Sequence, residues 1–381
     1  MRDPYLDKLA DVIVHYSTGV KAGQLVRLTG EPVALPLMEA IYEKCIQAGA
    51  HVAFKCIPDS IQEIFFEHAT KAQLEYVSPL VKHEIKTIDV SIGLWAETNT
   101  KSMSGVDPKK QAIASSARKP VFKVFMKRAA EGSLKWAGTL FPTQASAQDA
   151  EMSLRDYEQF VFQAGMLHKR DPVAEWKKLS RAQQKIVDYL TGKKEIHFTA
   201  ANGTDLRVNV EGMTWINCDG HENFPDGEVF TGPNLKAKDG GVNGVVRYSF
   251  PAVHHGREVH DIELTFEKGK VVKATASKNE AFLKQMLKTD PGACRMGEIA
   301  IGTNYQIQRY TKNTLFDEKI GGTFHAAVGA GYPETGNANN SGLHWDMVCD
   351  MRKQAGGGEI QVDGQTISKD GKFTKKGWPG N

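Results

Sequence analysis

The feature that most constrains this sequence is an alternation of strand and helix patterns that stops near residue 193. Residues 24–28 and 51–56 have the pattern of short strands, and the apolar residues at 34–47 between them have helical spacing closed by Gly49. A strand–helix–strand unit of this kind requires parallel strands joined by a right-handed crossover. The pattern therefore predicts an open α/β sheet in the first half of the chain.

The same alternation continues up to residue 193. Further strands are predicted at residues 87–94 and 134–140, and further helices at residues 6–16, 109–116 and 121–130. Two long helical patterns between residues 152 and 190 suit either a bridge between domains or a subunit contact. We expect residues 1–193 to form an α/β domain, with a mostly parallel sheet, helices on both faces, and a structural or assembly role.

From residue 194 onward the pattern changes to short strands separated by glycine turns. Strand-like alternation is found at residues 196–199, 206–210, 245–250, 262–266 and 271–276. One helix is predicted at residues 280–288, and a terminal hairpin turns at Asp363-Gly364. Residues 194–381 are therefore predicted to form an α+β domain rich in antiparallel strands.

Composition excludes several classes of protein. The 48 basic and 45 acidic residues give a net charge of +3, which provides no polybasic surface for nucleic acid. No run of 18 apolar residues is present, so no membrane span is expected. The five cysteines are scattered without a CxxC pair, as is typical of free thiols in a reducing compartment. Because Met1 leads into a charged amphipathic helix without an apolar signal core, we expect a cytoplasmic protein.

A nucleotide site is not indicated by the predicted α/β sheet. The loop after the first strand is Thr29-Gly30-Glu31-Pro32, which lacks both glycine-rich phosphate-binding patterns. The carboxylate of Glu31 would also repel phosphate. The fold alone does not assign a function, and the first half is interpreted as a structural or assembly domain.

The stretch Leu343-His344-Trp345-Asp346-Met347 has the alternation of a strand. Side chains two residues apart on a strand share a face, so His344 and Asp346 are expected to project together. Such a pair suits two metal ligands or an aspartate that orients a histidine base. A surface histidine beside a solvated aspartate on an edge strand fits these residues equally well.

Other ionisable residues in the second half lie in apolar or glycine-rich surroundings. These are Glu228 at a strand start, Glu298 within an apolar strand, and Glu318 and His325 flanking a glycine pair. Each has an ordinary structural explanation, such as a turn cap, an ion pair with lysine or a buried core histidine. Together with His344 and Asp346 they provide four carboxylates of total charge −4, which two divalent cations would neutralise. Mixed carboxylate and imidazole ligands of this kind suit paired zinc, cobalt or manganese ions.

The second half of the chain resembles the aminopeptidase T family, a thermophilic, leucyl-type group of dinuclear metallo-aminopeptidases. Five motifs occur in the order seen in that family: Pro225-Asp226-Gly227-Glu228, Gly297-Glu298-Ile299-Ala300, Phe316-Asp317-Glu318, His325-Ala326-Ala327-Val328-Gly329 with Tyr332 after it, and His344-Trp345-Asp346. The first half of the chain is similar to the family more loosely. The resemblance implies an N-terminal α/β domain, a C-terminal metal-bearing domain and a homodimer.

The resemblance also implies roles for individual residues. The metal ligands would be Glu228, Glu298, Glu318, His325, His344 and Asp346. Tyr332 would be an active-site residue. Two departures from the family pattern concern the segment between His325 and His344, which is shorter, and Glu318, which lies further before His325.

The expected activity is the release of N-terminal amino acids from short peptides by a metal-activated water. Glu298 is the predicted proton acceptor, and the Tyr332 hydroxyl is the predicted donor to the tetrahedral oxyanion. Two alternatives stay open from the sequence. One is another dinuclear amide hydrolase, such as a dipeptidase or a deacylase, and the other is a metal-free binding protein of the same fold.

Overall fold

The computed structural model describes residues 2–254 and 256–381, which divide into two compact units. One unit contains residues 2–173 together with Gly220–Pro225, and the other contains Ala174–Asp219 and Asp226–Asn381. The sequence prediction instead placed a single boundary after residue 193. The boundary lies earlier because the helix Pro172–Leu190 contributes side chains at its C-terminal end to the core of the second unit.

Residues 2–190 alternate between helices and short strands. The strands are β1 (Leu25–Gly30), β2 (His51–Cys56), β3 (Val90–Trp95) and β4 (Lys135–Leu140). The helices are α1 (Pro4–Asp11), α2 (Leu35–Gln47), α3 (Asp59–His68), α4 (Lys71–Glu75), α5 (Pro79–Thr87), α6 (Pro108–Ala130), α7 (Gln144–Asp149), α8 (Leu154–Ala164) and α9 (Pro172–Leu190).

The prediction of two helices at residues 109–116 and 121–130 is wrong, because α6 is continuous through Pro120. Proline removes one backbone hydrogen bond from a helix, and neighbouring turns must compensate. Here apolar packing holds the helix on both sides of the proline. Ala114 packs in one small cluster, and Val121 packs in another.

The remainder of the chain is dominated by strands. They are β5 (Glu195–Ala200), β6 (Asp205–Asn209), β7 (Ile216–Cys218), β8 (Asn223–Phe224), β9 (Glu228–Thr231), β10 (Val242–Arg247), β11 (Ala252–His254), β12 (Arg257–Val259), β13 (Glu263–Glu267), β14 (Lys270–Thr275), β15 (Met296–Gly302), β16 (Thr323–Gly329), β17 (His344–Asp350), β18 (Gly358–Val362), β19 (Gln365–Lys369) and β20 (Lys372–Phe373). Among the described residues of this region, the α-helices are α10 (Glu280–Met286) and α11 (Thr314–Asp317).

The first unit is built on a parallel sheet flanked by helices. Its strands lie in the order β2-β1-β3-β4-β8, and every pairing in it is parallel. The central strands bury Val26, Leu28, Val90 and Ile92, as expected for strands covered on their faces by helices. The α/β class predicted for the first half is confirmed.

The second unit contains two antiparallel sheets and a hairpin. The larger sheet has the order β14-β13-β10-β6-β5-β18-β19-β20, the smaller has the order β17-β16-β15-β9-β7, and β11 pairs with β12. Side chains from both sheets form one hydrophobic core, in which the rings of Phe198 and Phe324 stack 4.2 Å apart. The prediction of a β-rich α+β domain is therefore confirmed.

Alternation along β16 and β17 separates the core from a polar face. Phe324, Ala326 and Val328 of β16 belong to the hydrophobic core, so the intervening residues face the other way. On β17 the core positions are Trp345 and Met347, and the residues between them lie on the opposite face. This face of the smaller sheet carries the ionisable groups described next.

None of the helices within residues 2–254 and 256–381 combines the length and the apolar character that crossing a membrane requires.

Candidate metal centre

Four neighbouring strands of the smaller sheet bring the predicted ligands together. β16 pairs with β17 so that Ala327 lies opposite Asp346 and Gly329 opposite His344, which places both side chains on the same face of the sheet as His325. The pairing of β15 with β9 puts Gly302 opposite Glu228. The order of the strands in the sheet thus gathers residues separated by more than one hundred positions in the chain.

A β-bulge turns Glu298 towards this face. The register of β15 on β16 shifts between Met296 and Glu298. Met296 and Ile299 both contribute to the hydrophobic core although they are three residues apart, so the side-chain alternation changes sides between them. A bulge inserts one extra residue and re-aims the side chains that follow it. Without it, Glu298 would share the core face of Met296.

Close contacts between neighbouring side chains connect Glu228, His325, Glu298, His344 and Asp346. His325 Nε2 is 3.3 Å from Glu298 Oε1 and 3.5 Å from Glu228 Oε2. His344 Nε2 is 3.5 Å from Glu298 Oε2 and 3.2 Å from Asp346 Oδ2. The two oxygens of Glu298 therefore face one histidine each, and Glu298 lies at the middle of the cluster.

Two groups of three ligand atoms in this cluster have the spacing of a metal site. Glu228, Glu298 and His325 form one group and Glu298, His344 and Asp346 the other, and in each the ligand atoms lie within 4.8 Å of one another. Within each group, carboxylate oxygens and imidazole nitrogens provide the ligand types preferred by zinc, cobalt or manganese. The residues present therefore fit a pair of divalent cations sharing Glu298.

Buried polar atoms without hydrogen-bond partners support this fit. They are Glu228 Oε2, His325 Nδ1 and Asp346 Oδ1. Leaving a buried polar atom unsatisfied costs roughly 1–3 kcal/mol, and more when the group is charged. Coordination of a cation would satisfy the carboxylate oxygens of Glu228 and Asp346.

The imidazole of His344 is held in one orientation. Its Nδ1–H donates to the backbone carbonyl oxygen of Ala330 at 2.8 Å, which directs Nε2 towards Glu298 and Asp346. Metal-ligating histidines commonly donate their second ring nitrogen to a carbonyl in this way. The interpretation of Asp346 as the group that orients His344 is thus unnecessary, because Ala330 supplies that contact.

Without metal, both imidazoles hold a proton tightly. Burial alone lowers the pKa of His325, but the hydrogen bond with Glu298 and the charge of Glu228 outweigh burial and raise that pKa to about 9. Burial likewise lowers the pKa of His344, but the charge and hydrogen bond of Asp346 outweigh burial and raise the pKa of His344 to about 10. The cluster therefore attracts positive charge strongly at neutral pH.

The pKa values of the carboxyl groups shift in different directions, depending on the partners of each group. Burial raises the pKa of Glu298, and the nearby charge of Asp346 raises it further. Burial also raises the pKa of Glu318, to about 8. The pKa of Asp346 is instead held far below its ordinary value, because the charge and hydrogen bond of His344 outweigh the effect of burial.

Glu318 occupies a different position from the other predicted ligands. Its Oε2 accepts a hydrogen bond from Lys319 Nζ at 2.8 Å, and its side chain lies near enough to Asp346 to help lower the pKa of that carboxyl group. Within residues 2–254 and 256–381, the groups with metal-ligand spacing do not include Glu318. It therefore lies beside the cluster, next to Lys319.

Tyr332 lies against the cluster through its ring. The ring centroid is 5.3 Å from that of His344 in an edge-on arrangement, and it is also 5.3 Å from the ring of Phe230. Burial raises the pKa of Tyr332, and the charges of Glu298 and Asp346 raise it further. The phenol therefore stays protonated and available as a hydrogen-bond donor.

Three further groups at this centre were not predicted from the sequence. Lys319 is 1% exposed, and its ammonium contacts Glu228 and Glu318. Asp226 and Cys218 form a third close group with Glu228. Asp226 lies inside the Pro225-Asp226-Gly227-Glu228 motif, which marks it in the sequence. Lys319 and Cys218 have no such motif, and their sequence surroundings do not distinguish them from surface residues.

Comparison with known proteins identifies the family of the chain. The family model described as thermophilic metalloprotease (M29) matches residues 2–373. The chain belongs to the M29 family. The family match confirms the expectation of a metallo-aminopeptidase of the aminopeptidase T type.

Individual M29 relatives match over nearly their whole length. Aminopeptidase 2 of Geobacillus stearothermophilus is 29% identical, with 96% of this chain and 95% of the relative covered. Aminopeptidase T of Thermus thermophilus is 28% identical, with 94% of each covered. The solved structure of wild-type AmpT from Thermus thermophilus matches with a TM-score of 0.83 at 26% identity, covering 97% of this chain and 99% of that one.

A more distant structure shares the fold alone. The 2,5-dihydroxypyridine dioxygenase of Pseudomonas putida KT2440 has a TM-score of 0.60 at 13% identity, with 98% of each chain covered. Since one fold can carry different chemistries, the fold by itself does not choose the reaction. The family match and the arrangement of ligands carry the assignment to the metalloproteases.

Proposed function

We propose that this M29 enzyme removes the N-terminal residue of short peptides, using two divalent cations held by the cluster around Glu298. The observation that carries the proposal is the sharing of Glu298 between two groups of ligand atoms, one with Glu228 and His325 and the other with His344 and Asp346. Paired metals bridged by a carboxylate are the arrangement of many dinuclear hydrolases, aminopeptidases among them. Glu318 is proposed as a sixth ligand.

Divalent cations bound here would polarise the scissile carbonyl and lower the pKa of a water molecule from 15.7 to roughly 7. Zinc, cobalt and manganese all suit this ligand set.

The residues of the chain supply the remaining steps. Glu298 is the proposed acceptor of the proton that the attacking water loses, because its carboxylate lies between both histidines. The Tyr332 hydroxyl donates a hydrogen bond to the oxyanion of the tetrahedral intermediate, since burial and nearby carboxylates keep it protonated. The free α-amino group of the peptide, a cation, is attracted to the carboxylates of the same cluster.

A recess beside the cluster is the proposed site of the substrate's first side chain. Its walls combine the apolar side chains of Pro251, Tyr310 and Val348 with charged side chains, among them Lys312, Asp317, Asp346 and Glu318. Apolar surface buried by a substrate contributes roughly 25 cal/mol per Å². We therefore propose that apolar N-terminal residues are preferred over acidic ones.

The two domains are proposed to have separate roles. The catalytic role belongs to the second unit, Ala174–Asp219 with Asp226–Asn381, which contains every proposed ligand, and the first unit serves structure and assembly. Large apolar side chains that are more than half exposed support an assembly surface on the first unit. These are Ile57, Ile61, Ile64, Tyr76, Leu80 and Phe122. Exposed apolar side chains of this kind favour contact with a second copy, so we propose a homodimer.

The cytoplasm is the proposed location of the enzyme. All five cysteines are free thiols, as is usual in reducing compartments.

The test of this function compares a short peptide with its N-acetylated form. An aminopeptidase requires the free amino group, so only the unmodified peptide should be cleaved, and its N-terminal residue should be released first. Equal turnover of both forms would favour a different dinuclear amide hydrolase, such as a deacylase. Purified protein that binds no metal after saturation would instead favour a metal-free binding protein.

A further inference from the structure

Lys319 is a deeply buried lysine at the centre, and the proposed mechanism does not use it. Its ammonium is 2.7 Å from Glu228 Oε1, 2.8 Å from Glu318 Oε2 and 3.9 Å from Asp226 Oδ1. The side chain is 2% exposed. A buried ammonium is costly unless it is paired, and here three carboxylates surround it.

The contacts of Lys319 leave one oxygen of Glu228 free. Glu228 Oε1 accepts the hydrogen bond from Lys319, while Oε2 has no hydrogen-bond partner and lies 3.5 Å from His325 Nε2. A partner that binds one oxygen of a ligating carboxylate fixes the direction of the other. Lys319 therefore orients Glu228 towards the proposed metal position that it shares with His325.

Lys319 also lies against a third group of potential metal ligands. Cys218, Asp226 and Glu228 have ligand atoms within 4.8 Å of one another. This group includes a sulfur, which the proposed dinuclear centre lacks, and thiolate ligands favour zinc and cobalt. The ammonium contacts Glu228 and faces Asp226, so it already supplies a positive charge there.

We propose that Lys319 is a built-in cation of the metal centre, which orients Glu228 and Glu318 and keeps divalent metal out of the group formed by Cys218, Asp226 and Glu228. The proposal rests on the proposed metal-dependent function. Asp226 adds one carboxylate to those of the dinuclear centre and Lys319 offsets it. The net formal charge around two bound divalent cations is therefore the same with Asp226 and Lys319 present as it would be without them.

The experiment measures bound cobalt per chain and the electronic spectrum of the cobalt-loaded protein. Lys319→Met has a side chain of similar length without charge, and it should bind one more cobalt per chain than the wild type. The extra cobalt should show a thiolate-to-cobalt charge-transfer band that the wild type lacks. In the double variant Lys319→Met with Cys218→Ser, the band should be absent and the cobalt count should return to that of the wild type.

Two further variants serve as controls. Lys319→Gln retains hydrogen-bond donors but not the charge, so this variant should also bind an additional cobalt ion. It replaces Lys319→Met in the experiment if the methionine variant does not fold. Lys312→Met removes another lysine of the same unit, which pairs with Glu258 at 3.3 Å. It should leave the cobalt count unchanged.

The outcomes separate this inference from the proposed function. Folded Lys319→Met and Lys319→Gln proteins with the wild-type cobalt count and no thiolate band would overturn the role of Lys319 alone. An extra cobalt ion whose spectrum survives Cys218→Ser would overturn its assignment to this group. A wild-type protein that binds no cobalt would overturn the proposed metal-dependent function itself.

Discussion

Gly297 packs so closely against Ala330 that no other residue fits at its position. A Cβ at residue 297 would lie 2.1 Å from the carbonyl oxygen of Ala330. Gly297 lies at the shift in register that turns Glu298 towards the metal centre, and the chain that follows Ala330 leads to Tyr332. The backbone contact between Gly297 and Ala330 thus sets the position of two proposed active-site residues.

Gly297→Ala is expected to weaken metal binding. The added methyl must push the two backbone segments apart, which moves both Glu298 and the carbonyl that orients His344. Changes in such supporting contacts typically cost about 10–100-fold in metal affinity. Competition with a metal chelator measures the effect. Gly105→Ala is the matched control, because a Cβ there meets nothing within 4 Å, and an equal loss in that variant would contradict the account.

Glu298→Gln is expected to abolish turnover while the fold is kept. The substitution preserves the volume of the side chain but removes the charge shared by both groups of ligands and the proposed proton acceptor. A loss of roughly 10²–10⁴-fold in kcat/KM is expected for removal of a general base. Circular dichroism and metal content should accompany the kinetics. The exposed Glu267→Gln is the control, and near-normal turnover in Glu298→Gln would exclude Glu298 from the mechanism.

Tyr332→Phe is expected to reduce kcat without changing the metal content. The phenylalanine ring keeps the contacts with His344 and Phe230 but lacks the proposed donor to the oxyanion. Removal of one such donor typically costs about 10²–10³-fold in kcat. Steady-state kinetics and metal analysis of the same preparation measure both quantities. Tyr42→Phe on the exposed surface serves as the control, and an unchanged kcat in Tyr332→Phe would assign the tyrosine a packing role.

Metal binding is expected to release protons and to strengthen as the pH rises. The metal-free pKa values of His325 and His344 are about 9 and about 10, whereas a ligating imidazole must be neutral. Calorimetric titrations with zinc in buffers of different ionisation enthalpy measure the protons released. Affinity that is independent of pH between about pH 6 and pH 9 would contradict the pairing of these histidines with carboxylates.

The same pKa values predict how the stability of the metal-free protein depends on pH. Both histidines have folded-state pKa values above their ordinary value of about 6.5. Their contribution to stability is therefore complete below about pH 6.5 and is lost as the pH rises through 9 to 10. Thermal unfolding of the metal-free protein should show a falling midpoint over this range. A midpoint that rises there would reverse the expected sign.

Much of the site could be predicted because strands have a simple periodicity. His344 and Asp346 are two residues apart on β17, so their shared face followed from the sequence pattern. The strand containing Glu298 was also recognised, but its apolar neighbours did not indicate which face the carboxylate takes. That face depends on a bulge set by the contact between Gly297 and Ala330, and the two residues are far apart in the chain.

The ion pairs of Lys319 and the boundary between the two units depend on tertiary contacts, which the pattern of neighbouring residues in the sequence does not indicate. Lys319 follows two acidic residues and has the pattern of a solvated charge, yet the fold buries it among three carboxylates. The boundary between units lies at the start of α9, after Val173, because the C-terminal part of that helix packs into the second core. The sequence pattern predicted two helices where α6 is one, because packing on both sides of Pro120 keeps the helix continuous.

The most direct test of the account is the anomalous scattering of crystals loaded with zinc. Data collected on both sides of the zinc absorption edge should show two peaks about 3.5–4 Å apart. Glu298 should lie between them, with His325 beside one peak and His344 beside the other. A single peak, or peaks away from Glu298, in fully loaded and active enzyme would contradict a dinuclear centre at this position.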